Sequence, residues 1–144
     1  RSYVWMQSNS FDSDSASFMC SIATIPYMGK YFRGFLGFFW LNGQLFRFAT
    51  YTHAKLEAVT IGENEVHFVV KERKFRIEVT AKRESSGILK APQAGQMERR
   101  ISESVNAEIQ LRVTDRAGKL IFKGIGKAAG LEIVGNKAEL TEKP

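Results

Sequence analysis

The chain has 144 residues, 44% hydrophobic and 25% charged, with a net charge of +6, which suits one soluble globular domain with a sizeable core. Its greasiest run, Phe32 to Leu41, is broken by Arg33 and glycines and falls short of the roughly 20 apolar residues that a membrane-spanning helix needs. A single cysteine excludes an internal disulfide, and two histidines at unrelated spacings make no metal-ligand set, so neither metal nor cofactor is expected.

The opening strand, Tyr3 to Phe11, sets Trp5, Gln7 and Asn9 on one face, because side chains two residues apart point the same way. An indole and two carboxamides there are either a pocket wall, with an aromatic platform and two orienting amides, or core filler with amides satisfied by backbone. Ser8 to Ser17 is polar and reads as a loop, in which Asp12 is a candidate acid if the loop folds over a pocket. Phe18 to Ile25 is a buried strand ended by Pro26, and Cys20 within it is a small core residue of a reducing compartment. Phe32 to Trp40 is apolar on both alternating faces, which predicts a strand covered on both sides. Asn42-Gly43 predicts a tight hairpin into Gln44 to Tyr51, with Phe46 and Phe48 on one face and Leu45, Arg47, Ala49 and Tyr51 on the other.

Lys55 to Ile61, Glu65 to Lys71 and Phe75 to Ala81 follow as a meander, with His67 read as a surface residue. The basic run Lys71 to Arg76 reads as a hairpin's solvent side, where cations discourage edge-to-edge pairing. Glu84 to Gln96, rich in Ser, Gly and Pro, reads as a long loop across an opening, and Met97 to Val105 fits either a helix or a strand. Val105 to Val113 alternates strictly and turns at Asp115–Gly118 into Lys119 to Ile125. Gly124 to Gly130 is not the dinucleotide fingerprint: its third glycine is one residue late, and strand-like Leu131 to Val134 offers no helix N-terminus to a pyrophosphate. These glycines predict a sharp bend or close strand packing, and the polar tail after Asn136 reads as frayed. Nine or ten strands predict an all-β fold, an antiparallel lipocalin-like barrel or strongly curved sheet whose interior could hold one small ligand.

Four stretches, in this order and spacing, resemble the tocopherol cyclase family and its bacterial members: Val4-Trp5-Met6-Gln7-Ser8-Asn9, Phe48-Ala49-Thr50-Tyr51, Leu89-Lys90-Ala91-Pro92, and Ala129-Gly130-Leu131-Glu132-Ile133-Val134-Gly135. The resemblance implies that the chain is the C-terminal part of a longer two-part β protein, with another β-rich portion expected before Arg1. It also implies a relation to lipocalin-like proteins of prenylated molecules, placed in the cytoplasm or peripheral to a membrane, where a basic surface favours anionic lipid. Plant members close a chromanol ring by protonating a prenyl double bond so that the phenol oxygen captures the cation. That chemistry needs a positioned acid, a dry apolar cavity and aromatic faces.

The aromatic candidates are Trp5, Phe38, Trp40 and Tyr51, joined by Gln7 and Asn9 as ligand-binding residues. Glu132 and Glu103 are the candidate catalytic acids, with Asp12 and His53 behind them; no family assignment fixes these roles. Three functions stay open: a cyclase-like isomerase acting on a prenylated quinol or terpenoid, a non-catalytic binder or carrier of a hydrophobic small molecule or lipid, and a nucleic-acid-binding barrel using the Phe46-Arg47-Phe48 face. Nucleic acid is not the expected partner.

Overall fold

In the computed structural model the described residues are 2–12, 15–83 and 103–141. Asn42 and Gly43 take φ of 48° and 88°, and Met28 and Gly29 take 50° and 79°, the left-handed pairs that two-residue hairpin turns require. The strands in chain order are β1 (Tyr3–Ser8), β2 (Ala16–Tyr27), β3 (Lys30–Leu41), β4 (Gln44–Ala49), β5 (Lys55–Ile61), β6 (Glu65–Lys71), β7 (Phe75–Lys82), β8 (Glu103–Asp115) and β9 (Leu120–Val134), and these two turns join β2 to β3 and β3 to β4. A 3-10 turn (Thr50–Thr52) lies between β4 and β5, and a short helix, α1 (Lys137–Thr141), follows β9. The nine strands form one antiparallel sheet in the order β4-β3-β2-β1-β9-β8-β7-β6-β5. The expected all-β, strongly curved architecture is the one observed.

The sheet curls into a half-barrel, and its two edges cannot join. Every neighbour pair is antiparallel, so the eight steps from β4 to β5 leave these two edges running in the same direction. Parallel partners need a crossover of about a dozen residues or more. Only residues 50–54 separate β4 from β5, so a seam stays open between them.

Alternation places one side of every strand in a shared core on the concave face, with Val4, Met6, Phe18, Ile22, Phe39, Phe48, Phe68, Val79, Ile109 and Leu131 buried there. Aromatic contacts between strands far apart in the sheet measure the curl: Phe46 of β4 meets Phe75 of β7 with ring centroids 5.2 Å apart, and Phe39 of β3 meets Phe122 of β9 at 4.9 Å. The interior is thus filled by side chains. Cys20 is buried within it, as expected.

Arg33 ties the seam at one end. Its buried guanidinium donates to the carbonyl of Leu140 in α1 (3.2 Å) and to that of Leu56 in β5 (3.2 Å), linking β3 to the opposite edge. The helix is anchored by Leu140, which is fully buried, and by Ser2, whose hydroxyl accepts from the Asn136 N–H (2.9 Å) and donates to Glu139 Oε1 (2.7 Å).

Three expectations are corrected. The tail after Asn136 is docked through residues 137–141, because Leu140 completes the core. β9 is a single strand from Leu120 to Val134, bent at Ala128 (φ 49°), where the register with β8 shifts; the glycines serve close packing, as expected. A Cβ on Gly126 would lie 2.6 Å from Phe11 Cζ, so Gly126 is what lets that ring reach the core. β3 is covered on one side only: Leu36 and Trp40 point away from the core and are 44% and 41% exposed. His67 is half-buried and hydrogen-bonded to Thr80 Oγ1 (2.9 Å). The expected loop at 84–96 and most of the ambiguous 97–105 segment lie outside the described residues.

Candidate functional site

Most of the residues singled out from the sequence gather on the convex face. The β1 register pairs Trp5 with Ser21 of β2 and with Glu132 of β9, and Glu132 is in turn paired with Glu103 of β8. Cross-strand partners share a face, so Glu132, Trp5, Ser21 and Leu36 form one row across four strands, and the backbone register continues to position 103 of β8. The next row holds Gln7, Met19, Phe38 and Arg47. Trp40 lies one row further, between Ser17 and Leu45.

Within this face the Trp5 indole lies against Gly130, where a Cβ would come within 2.9 Å of Cζ3. Glu132 is half-buried, and the Tyr3 hydroxyl donates to its Oε1 at 3.4 Å. The face therefore carries an indole, a phenol and a carboxylate at one end and an apolar platform of Leu36, Phe38 and Trp40 at the other. Asn9 and Asp12 are exposed beyond the end of β1, and Tyr51 is exposed in the 3-10 turn; the structure does not bring them to this platform.

The second concentration of side chains is at the seam. A groove of about 1130 Å³ opens between the edge of β4, the Thr52–Lys55 connection and the β6–β7 turn. Leu45, Phe46, Phe75 and Ile121 contribute apolar surface to it. Arg47, Lys55, Lys71, Arg73 and Lys74 bring cations, and His53, held at φ 66°, also lines it. Its two carboxylates are engaged by local donors. Glu72 accepts from Thr52 Oγ1 (2.8 Å) and from the Arg73 N–H (2.9 Å), and Asp115 Oδ1 accepts from the N–H groups of Ala117 and Lys119 (2.9 Å each).

Among the described residues no group of three or more His, Cys, Asp and Glu side chains could hold a metal, and no helix is long and apolar enough to cross a membrane. Comparison of the chain with family models, with curated proteins and with solved structures returns no significant match in any of the three.

The groove was not visible in the sequence as a site. The basic run at Lys71 to Arg76 reads correctly as a hairpin, but nothing local tells that the edge of β4 faces it across the seam. The signal that would have found it combines parity with loop length: nine antiparallel strands leave parallel edges, and the five residues between β4 and β5 are too few for the crossover that parallel pairing needs.

Proposed function

We propose that this protein is a tocopherol-cyclase-like binder of an amphipathic terpenoid or prenylated quinol, with the groove at the open seam as its site. The observation that carries the reading is the pairing there of an apolar floor with a polar rim in a concave space of about 1130 Å³, a combination typical of small-molecule sites. The apolar tail lies along Leu45, Phe46, Phe75 and Ile121 and the polar head faces the rim. Both carboxylates in the groove already accept hydrogen bonds from donors in place, which suits holding a ligand better than protonating one. The test is native mass spectrometry after soaking with a prenylated hydroquinone. One-to-one uptake is expected, reduced at least tenfold by Leu45→Glu, whose exposed position spares the core, and unchanged by Leu36→Glu on the convex face. No uptake by the unaltered protein would overturn the reading.

A second reading, acid-promoted ring closure, is favoured by a different observation: Glu132 stands in register between Trp5 and Glu103, in contact with the Tyr3 hydroxyl. In that reaction Glu132, as a carboxylic acid, protonates the prenyl double bond, and the indole face of Trp5 stabilises the cation. The phenol oxygen then closes the ring, and its proton returns to the carboxylate. Incubation with the same hydroquinone should yield the cyclised isomer, and Glu132→Gln should abolish it while uptake is unchanged; product formation by that variant rules out the assignment.

A further inference from the structure

We infer that the groove at the seam selects an anionic head group, the phosphate or diphosphate ester of a long apolar chain; this rests on the proposal that the seam holds an amphiphile. Five cations against two carboxylates leave the lining with an excess of three positive charges. The charges of Glu72 and Asp115 are already counted in that excess, and both carboxylates are turned to hydroxyl or backbone donors, Glu72 to Thr52 and the Arg73 N–H and Asp115 to the N–H groups of its own turn.

The cations are also placed against one another. Lys55 and Lys71 are direct cross-strand partners in the β5–β6 ladder, an arrangement that is destabilising unless an anion lies between or over them. The β6–β7 turn adds Arg73 and Lys74 beside this pair, and Arg47 closes the rim from the edge of β4. Lys71 has one partner, Glu57 at 3.8 Å, with both side chains about half exposed, where such pairs hold weakly. Among the described residues no carboxylate lies within ion-pair distance of Arg47, Lys55, Arg73 or Lys74. A phosphate monoester brings about −1.5 to −2 charge and three acceptor oxygens, and a diphosphate brings more. Either matches the excess better than a carboxylate, while Phe46 and Phe75, whose rings touch at 5.2 Å, offer the chain a continuous apolar floor.

The experiment compares four compounds by isothermal titration of the full chain: farnesyl diphosphate, farnesol, inorganic pyrophosphate and oligothymidylate. Farnesyl diphosphate should bind at least tenfold more tightly than farnesol and than pyrophosphate, with an affinity that falls as salt rises. The double variant Lys55→Gln, Lys71→Gln should weaken farnesyl diphosphate at least tenfold and flatten its salt dependence, while its thermal unfolding midpoint, which reports an intact fold, does not fall, since the substitution removes a like-charge pair; undiminished farnesyl diphosphate binding by this variant overturns the inference. Equal binding of farnesyl diphosphate and farnesol overturns the anionic-head inference and leaves the amphiphile proposal standing; binding of neither overturns both. Pyrophosphate as tight as farnesyl diphosphate makes this a site for free phosphate compounds, and oligothymidylate tighter than either makes it a nucleic-acid surface; each of those results also overturns the inference.

Discussion

Arg33 is a buried cation with no carboxylate within ion-pair distance among the described residues: desolvation lowers its pKa from the ordinary guanidinium value, and two carbonyl oxygens, from Leu56 and Leu140, compensate for the lost water. Replacing it with Ala leaves both carbonyls without that donor and opens a void beneath α1. Hydrogen bonds to charged groups contribute about 1.5–3 kcal/mol each before non-additivity, so Arg33→Ala should lower unfolding free energy by about 2–4 kcal/mol in a denaturant titration, with Arg33→Lys intermediate. Cys20 makes a prediction in pH. Burial pushes its thiol far above its ordinary range, so the folded state keeps the proton after the unfolded chain releases it at about pH 8.5. Its contribution is intact below that pH, and stability falls above it by about 1.4 kcal/mol per pH unit. Between pH 9 and 10 the unaltered protein should lose stability faster than Cys20→Ala by that slope, whatever the offset from the lost sulfur. The inner position of Cys20 was legible from its neighbours Phe18 and Ile22; the burial of Arg33 was not, because its partners come from β5 and α1.

Among the elements, β5 and β9 are each interrupted by an alanine with left-handed backbone, Ala58 (φ 52°) and Ala128 (φ 49°), where the ladder register shifts. Both alanines are exposed, so neither side chain is held in place by packing. The left-handed region costs a residue with a Cβ about 1–2 kcal/mol, and glycine escapes this at the expense of chain entropy. Ala128→Gly and Ala58→Gly should therefore each raise the unfolding free energy by about 0.5–1 kcal/mol in a denaturant titration. Strand identity was readable across most of the chain from alternation and from turns such as Asn42-Gly43 and Asp115–Gly118. What alternation cannot tell is which face stays bare. β3 is apolar on both faces, and only the curl of the sheet decides that Phe39 enters the core and Trp40 does not.

At the scale of the molecule, the half-barrel follows from nine antiparallel strands together with the five-residue connection between its edges, and those open edges should report themselves. Hydrogen exchange should be fastest in β4 and β5, which have a partner on one side only, and slowest in β1 and β9, which are held on both sides near the middle of the sheet; equal protection of β4, β5 and the central strands would argue that the seam is closed. The convex platform was half legible: alternation put Trp5 and Gln7 on one face, but that Glu132, Trp5 and Leu36 fall into one row needed the registers of three ladders. One of those ladders also governs how the chain reaches this shape. Seven of the eight ladders join strands consecutive in the sequence, and β1 with β9 is the exception, pairing Tyr3 with Val134. The strands from β2 to β4 and from β5 to β9 can each zip from their own turns, as two ribbons with no ladder between them. Their union pairs segments from opposite ends of the sequence, a contact of high order that forms last, after each half has ordered its own strands. β1 thus acts in folding as the splice between two preassembled halves, and a nascent chain that has not yet released β9 has no means of joining them.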